Sequence, residues 1–102
     1  MLKYTTKRVE EKLMLGFAFA KRLGGSVAVP ETITSAVFSL EVVQGTDPAF
    51  ETMIEGDAQI DGTEVRSWIL GGVDGCTYWL TCRATTNFGR ILVATAEFQV
   101  SR

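Results

Sequence analysis

The feature that most constrains this chain is a period of two. From Thr77 to Thr85 the side chains alternate. Tyr78, Leu80, Cys82 and Ala84 share one face, and Thr77, Trp79, Thr81, Arg83 and Thr85 share the other. A helix would scatter these residues around its circumference. A pleated strand sorts them into a buried row and an outward row. The strand is entered through the glycine-rich corner Gly71-Gly72-Val73-Asp74-Gly75. It is left through Asn87-Phe88-Gly89, after which Ile91 to Val100 forms a second strand.

The same alternation recurs upstream. Leu13, Leu15, Phe17 and Phe19 share a face opposed by Met14, Gly16 and Ala18, the pattern of a half-buried strand. Lys21 to Ser26 breaks it. Val27-Ala28-Val29-Pro30 then leads into a strand from Glu31 to Val43, with Phe38, Leu40 and Val42 inward and Ser39 and Glu41 outward. Pro30 sits at the strand entrance, where its missing N–H costs least. Gln44 to Pro48 is a loop by composition. Phe50 to Ile60 predicts one or two short strands broken near Gly56, with Met53, Ile54, Ala58 and Ile60 as the apolar set. Asp61-Gly62 is a two-residue turn signal. Thr63 to Leu70 follows, with Val65, Ser67 and Ile69 opposed to Arg66, Trp68 and Leu70.

The sum is about seven short strands and no convincing helix, which predicts an all-β antiparallel sandwich of immunoglobulin-like or fibronectin type III-like form. A small closed barrel is the alternative architecture. The sandwich is expected over residues 11–102. Residues 1–10 are expected to be a polar N-terminal arm, either a frayed end or a segment that orders against a neighbouring subunit.

Composition narrows the chemistry. A chain of 102 residues holds one domain, and 46% apolar residues argue against global disorder. Ten basic and twelve acidic residues leave a net charge of −2, which offers no broad field for nucleic acid. The N-terminus has no apolar run after its basic residues, so no secretory signal is expected there. No uncharged stretch is long enough for a transmembrane helix. There is no histidine, which removes Ser-His-Asp and Cys-His catalysis and every histidine-containing metal site. Two cysteines cannot form a four-cysteine site, and no phosphate loop or dinucleotide fingerprint occurs. The carboxylates Glu10, Glu11, Glu55, Asp57, Asp61 and Glu64 have no spacing that demands a metal or an acid–base pair. No catalytic, cofactor-binding or metal-binding residue is assigned, and the chain is expected not to be an enzyme. Cys76 and Cys82 lie six apart on one predicted strand, about 20 Å at strand rise, beyond disulfide reach. Free thiols fit folding in a reducing cytoplasm.

The residues left over are surface candidates. Strand parity places Trp68 and Trp79 on outer faces, where an exposed tryptophan on a small domain is usually covered by a partner. A register slip turning one of them inward is the competing reading. Arg83 and Arg90 bracket the last hairpin, either as interface residues or as ordinary surface charge. Lys3, Tyr4 and Arg8 in the arm complete the candidate protein interface.

A family pattern lies in the order of these pieces. They are Leu13-Met14-Leu15-Gly16-Phe17-Ala18-Phe19, Leu23, Pro30-Glu31-Thr32-Ile33-Thr34-Ser35, Trp68-Ile69-Leu70-Gly71-Gly72, Gly75 through Arg90, and Phe98-Gln99-Val100. This order resembles the tail-fibre adaptor proteins of tailed bacteriophages over residues 13 to 100, with a poorly matched middle at 41–62. Pro30 stands where those proteins usually carry Gly, Phe19 where they often carry Trp, and an acidic residue expected near Ala18 is missing. These are turn and strand-surface positions, so the departures touch the partner surface more than the fold. The resemblance implies a non-enzymatic virion structural protein linking the tail or neck to fibres or spikes. It implies several copies per virion, contacts with other phage structural proteins rather than nucleic acid or membrane, and assembly in the host bacterial cytoplasm. The alternative is an immunoglobulin-like carbohydrate- or receptor-binding module, with Phe50, Trp68 and Phe88 stacking on sugars.

Overall fold

The computed structural model describes residues 2–3, 6–25 and 28–102, with side chains from Thr6 onward. Eight strands form: β1 (Leu2–Lys3), β2 (Lys7–Arg8), β3 (Lys12–Ala18), β4 (Ile33–Gln44), β5 (Ile54–Asp61), β6 (Glu64–Leu70), β7 (Thr77–Thr86) and β8 (Ile91–Ser101). Single 3₁₀ turns occur at Ala20–Arg22 and Phe50–Met53. One sheet sets β7 between β4 and β8, antiparallel to both, and adds β1 and β2 in parallel along the outer edge of β8. The other sheet runs β3-β6-β5, all antiparallel. This is the strand order of an immunoglobulin sandwich. Strands β3, β6 and β5 take the places of B, E and D, and β4, β7 and β8 those of C, F and G.

The alternation decides what is buried. Tyr78, Leu80, Cys82 and Ala84 are all buried on β7, as are Val65, Ser67 and Ile69 on β6 and Phe38 and Leu40 on β4. Phe17 of β3 stacks on Phe38 of β4 across the two sheets, ring centroids 6.2 Å apart, and Tyr78 stacks on its cross-strand partner Phe98 at 5.4 Å. Each fully buried ring contributes about 2–3 kcal/mol. Both cysteines are free and buried, and burial pushes the Cys82 thiol up to about 11.

The structure shifts several expected boundaries. Strand β4 begins at Ile33, because the Glu31 side chain is held elsewhere (below) and keeps the chain entry off the sheet. Phe19 falls just past β3 but stays buried, its N–H bonded to Thr63 O at 2.8 Å. The turn expected at Asp61-Gly62 sits one residue later, with Asp61 paired to Glu64. Gly62 alone has positive φ, at 62°, which is the type II′ pattern with glycine first. The segment after Phe50 is a 3₁₀ turn followed by one strand, whose register breaks between Glu55 and Gln59 around Gly56. The arm expected over residues 1–10 contributes β1 and β2 to the sheet.

Tyr78 anchors the turn from β6 to β7. Its hydroxyl donates to Asp47 Oδ2 at 2.8 Å and accepts from the Val73 N–H at 3.0 Å. A buried tyrosine at the start of this strand, bonded back to the preceding corner, is the tyrosine corner of immunoglobulin-type sandwiches. Burial, with Asp47 alongside, holds the phenol above its ordinary pKa, so it stays a donor throughout the physiological range. Removing the hydroxyl leaves the buried Asp47 carboxylate and the Val73 N–H each short of a partner. Tyr78→Phe is therefore expected to lower unfolding free energy by about 2 kcal/mol in urea titration, with an unchanged far-ultraviolet spectrum.

Candidate interaction surfaces

Register arranges the outer face of the β4–β7–β8 sheet in cross-strand rows. They are Glu41–Trp79–Glu97, Ser39–Thr81–Thr95, Val37–Arg83–Val93 and Ser35–Thr85–Ile91. Trp79 is half-buried, and its Nε1 donates to Glu97 Oε1 at 3.3 Å. The Thr81 and Thr95 hydroxyls meet at 3.1 Å. Around Arg83 the side chains of Val37 (66%), Ile91 (60%) and Val93 (42%) remain open to solvent. Neither the Arg83 nor the Glu41 side chain has a hydrogen bond or ion pair among the described residues.

The outer face of the β3–β6–β5 sheet is built differently. Trp68 lies between Met14 and Glu55. The Lys12 ammonium sits 5.0 Å from its ring centroid and pairs with Glu55. Beside it, Arg66 reaches Glu64 at 2.5 Å and Asp61 at 3.6 Å. A Cβ at Gly16 would meet Val65 O at 2.5 Å and Arg66 Cγ at 2.7 Å, so glycine lets the arginine stem lie flat on the sheet. This face neutralises its own charges; on the other, the side chains of Arg83 and Glu41 have no partner among the described residues.

The ends of the sandwich are tied by buried polar groups. The Glu31 side chain is 1% exposed, while Arg90, which grips it, is 51% exposed. Arg90 Nη2 and Nε reach the two carboxylate oxygens at 2.5 and 2.8 Å, a bidentate pair. Thr86 Oγ1 (2.7 Å) and the Gly24 N–H (2.8 Å) also donate to that carboxylate. The Arg90 hydrogen bonds, aided by Gly24 and Thr86 against the cost of burial, hold Glu31 down to about 2. At the other end, Lys7 is buried and donates to Arg8 O and Gly71 O, both at 2.7 Å, which clamps β2 to the corner after β6.

The candidates from sequence therefore part company. Trp79 and Arg83 share one outer face, and Trp68 lies on the opposite one. Arg90 spends its guanidinium on Glu31 and on Arg22 O. Arg8 donates to Arg102 O at 3.0 Å beside a cleft of about 780 Å³ whose rim also carries Glu11 and Asp74. Glu11 accepts from the Arg8 N–H and Asp74 from the Arg102 N–H, so the rim is engaged in tying the chain ends. Lys3 pairs with Glu97 through its backbone, and Tyr4 lies outside the described residues. Phe50, Trp68 and Phe88 sit on a 3₁₀ turn, an outer strand face and a hairpin tip respectively. Sequence reasoning placed Glu41 outward without seeing that it shares a row with Trp79. The signal was parity in β4 read against β7, which needs the pairing register.

The two outer faces and the tied ends are the notable surface features of this sandwich, and fold alone does not assign them a function. The chain matches the family model described as podophage GP4 fiber-tail adaptor protein gp77 over residues 7–99, and it belongs to that family. It is thus a structural protein of the phage virion that works with other phage structural proteins, in line with the resemblance read from its motifs. No curated protein matches the sequence.

Glu31 gives the hairpin end a pH dependence of definite sign. Its pKa is depressed from 4.5 to about 2 in the folded chain. Its contribution is present above pH 4.5 and is lost as the pH falls toward 2. Glu31→Gln is expected to be less stable at neutral pH and to flatten the stability curve between pH 2 and 4.5, as read by thermal melts across that window.

Proposed function

We propose that the chain is a rigid, non-enzymatic connector between tail and fibre whose contacts lie on its outer sheet faces. Two features support this reading together: membership of the adaptor family and the placing of Trp68 and Trp79 on opposite faces of one sandwich. A connector must hold two surfaces in fixed relation, and a core packed from both sheets does that without a hinge. The extents of 49 × 24 × 20 Å make it a short rod able to separate what it joins. Several copies around a symmetric tail multiply a modest contact into a durable one. The buried free thiols suit assembly in a reducing cytoplasm before release. The arm residues Lys3, Tyr4 and Arg8 would add to the contact.

Tryptophans that anchor contacts cost about 2 kcal/mol or more when truncated, roughly thirtyfold in affinity per contact. Phage carrying Trp68→Ala or Trp79→Ala should yield particles depleted of fibres, scored by gel band intensity and plaque titre. Full fibre occupancy in the double variant would end the reading.

A further inference from the structure

The Trp79–Arg83 face is complementary to itself. The row Ser39–Thr81–Thr95 runs across its middle. The row Glu41–Trp79–Glu97 lies about 7 Å to one side and Val37–Arg83–Val93 about 7 Å to the other. A two-fold axis along the middle row turns one copy over onto another. It sets each Arg83 over the partner copy's equivalent of Trp79, within reach of the carboxylate at position 41. It also stacks the threonine row on itself. A two-fold axis along the strands would instead set arginine on arginine, so the charges select the first arrangement.

We propose that this face is a contact between two copies of the chain, closed by Arg83 of each against Trp79 and Glu41 of the other. This rests on the reading that the outer faces are contact surfaces, and it names the partner of one of them. The β3–β6–β5 face, with Trp68, is left for an unlike protein. Three observations carry the inference. Arg83 and Glu41 have no partner among the described residues. Arg83 stands among exposed Val37, Val93 and Ile91. The rows that carry these residues run across β4, β7 and β8 of the sheet. Such a patch measures roughly 14 by 27 Å. Two of them bury roughly 800 Å², the low end of interface sizes, where association is weak and transient. Cation–π contact of Arg83 with the indole and a charge-assisted bond to Glu41 then supply specificity rather than bulk area.

The test is sedimentation equilibrium of the isolated chain at concentrations up to about 1 mM, where an interface of this size should populate a dimer. The native chain should show dimer, and Arg83→Glu and Glu41→Arg should each lose it at least tenfold with unchanged circular dichroism. Mixing the two variants restores opposite charges at both contacts, so the mixture should form a heterodimer that neither makes alone. A native chain that stays monomeric throughout overturns the proposal. So do variants that dimerise unchanged, or a mixture that fails to associate. If the chain stays monomeric while Trp79→Ala still strips fibres from particles, the face meets an unlike protein and the connector role stands without the dimer.

Discussion

Strand β7 is the constraint from which the rest follows. It is paired along both edges, to β4 and to β8, so its backbone has little freedom left and side-chain parity decides what is buried from Tyr78 to Ala84, while Thr77 at its start is buried against parity. With Tyr78, Leu80, Cys82 and Ala84 inside, Trp79, Thr81 and Arg83 must be outside. A slip of one residue would bury Arg83 and expose Leu80, a loss of several kcal/mol. The register is pinned at both ends. Tyr78 holds Asp47 and Val73 at the start, and Thr86 accepts from Phe88 and Arg90 and donates to Glu31 at the finish. The outer face inherits its geometry from these inner bonds.

Burying charge at the ends of a small domain is costly, and here it is offset in two ways. Glu31 meets a bidentate guanidinium, a hydroxyl and a backbone N–H, which makes it a satisfied anion. Lys7 meets two backbone carbonyls, with burial lowering its pKa from 10.5 and Glu11 opposing that shift. Both groups tie a segment with little apolar content of its own. Glu31 holds the loop from Ala20 to Thr32 to the last hairpin, and Lys7 holds β2 to the corner after β6. Hydrophobic burial builds the middle of the sandwich, and buried hydrogen bonds fix its ends.

That division explains what could be read from the sequence. Alternation is a local signal, so β3, β4, β6, β7 and β8, the buried rows of the first four and the outward placing of both tryptophans were legible. Over residues 44–62 a strand broken near Gly56 was legible, but its register and the 3₁₀ turn before it were not, because the break at Gly56 erases the period of two. Strands β1 and β2 carry no periodic signal at two residues each; their identity comes from the β8 edge they join. Arg90 looked like a surface cation because its partner, Glu31, lies 59 residues away in sequence. Lys12 over Trp68 and Asp47 under Tyr78 were hidden for the same reason.

How the chain presents faces rather than edges has a physical cause. An open strand edge invites promiscuous pairing. The β8 edge is taken up by β1 and β2, and Arg22 Nη1 occupies Val93 O at 2.8 Å. Strand β4 is irregular at both ends, with register shifts at Ile33/Ser35 and Val42/Gln44, which spoils a straight template. The proposed contacts on the sheet faces fit edges blunted in this way, because on a face side chains choose the partner. On the β3–β6–β5 face the charges are paired within the chain and disfavour non-specific contact. On the β4–β7–β8 face one cation is held among valines with its matching anion two rows away. An isolated chain cannot bring those two charges together across a rigid sheet; the proposed pairing of two copies would.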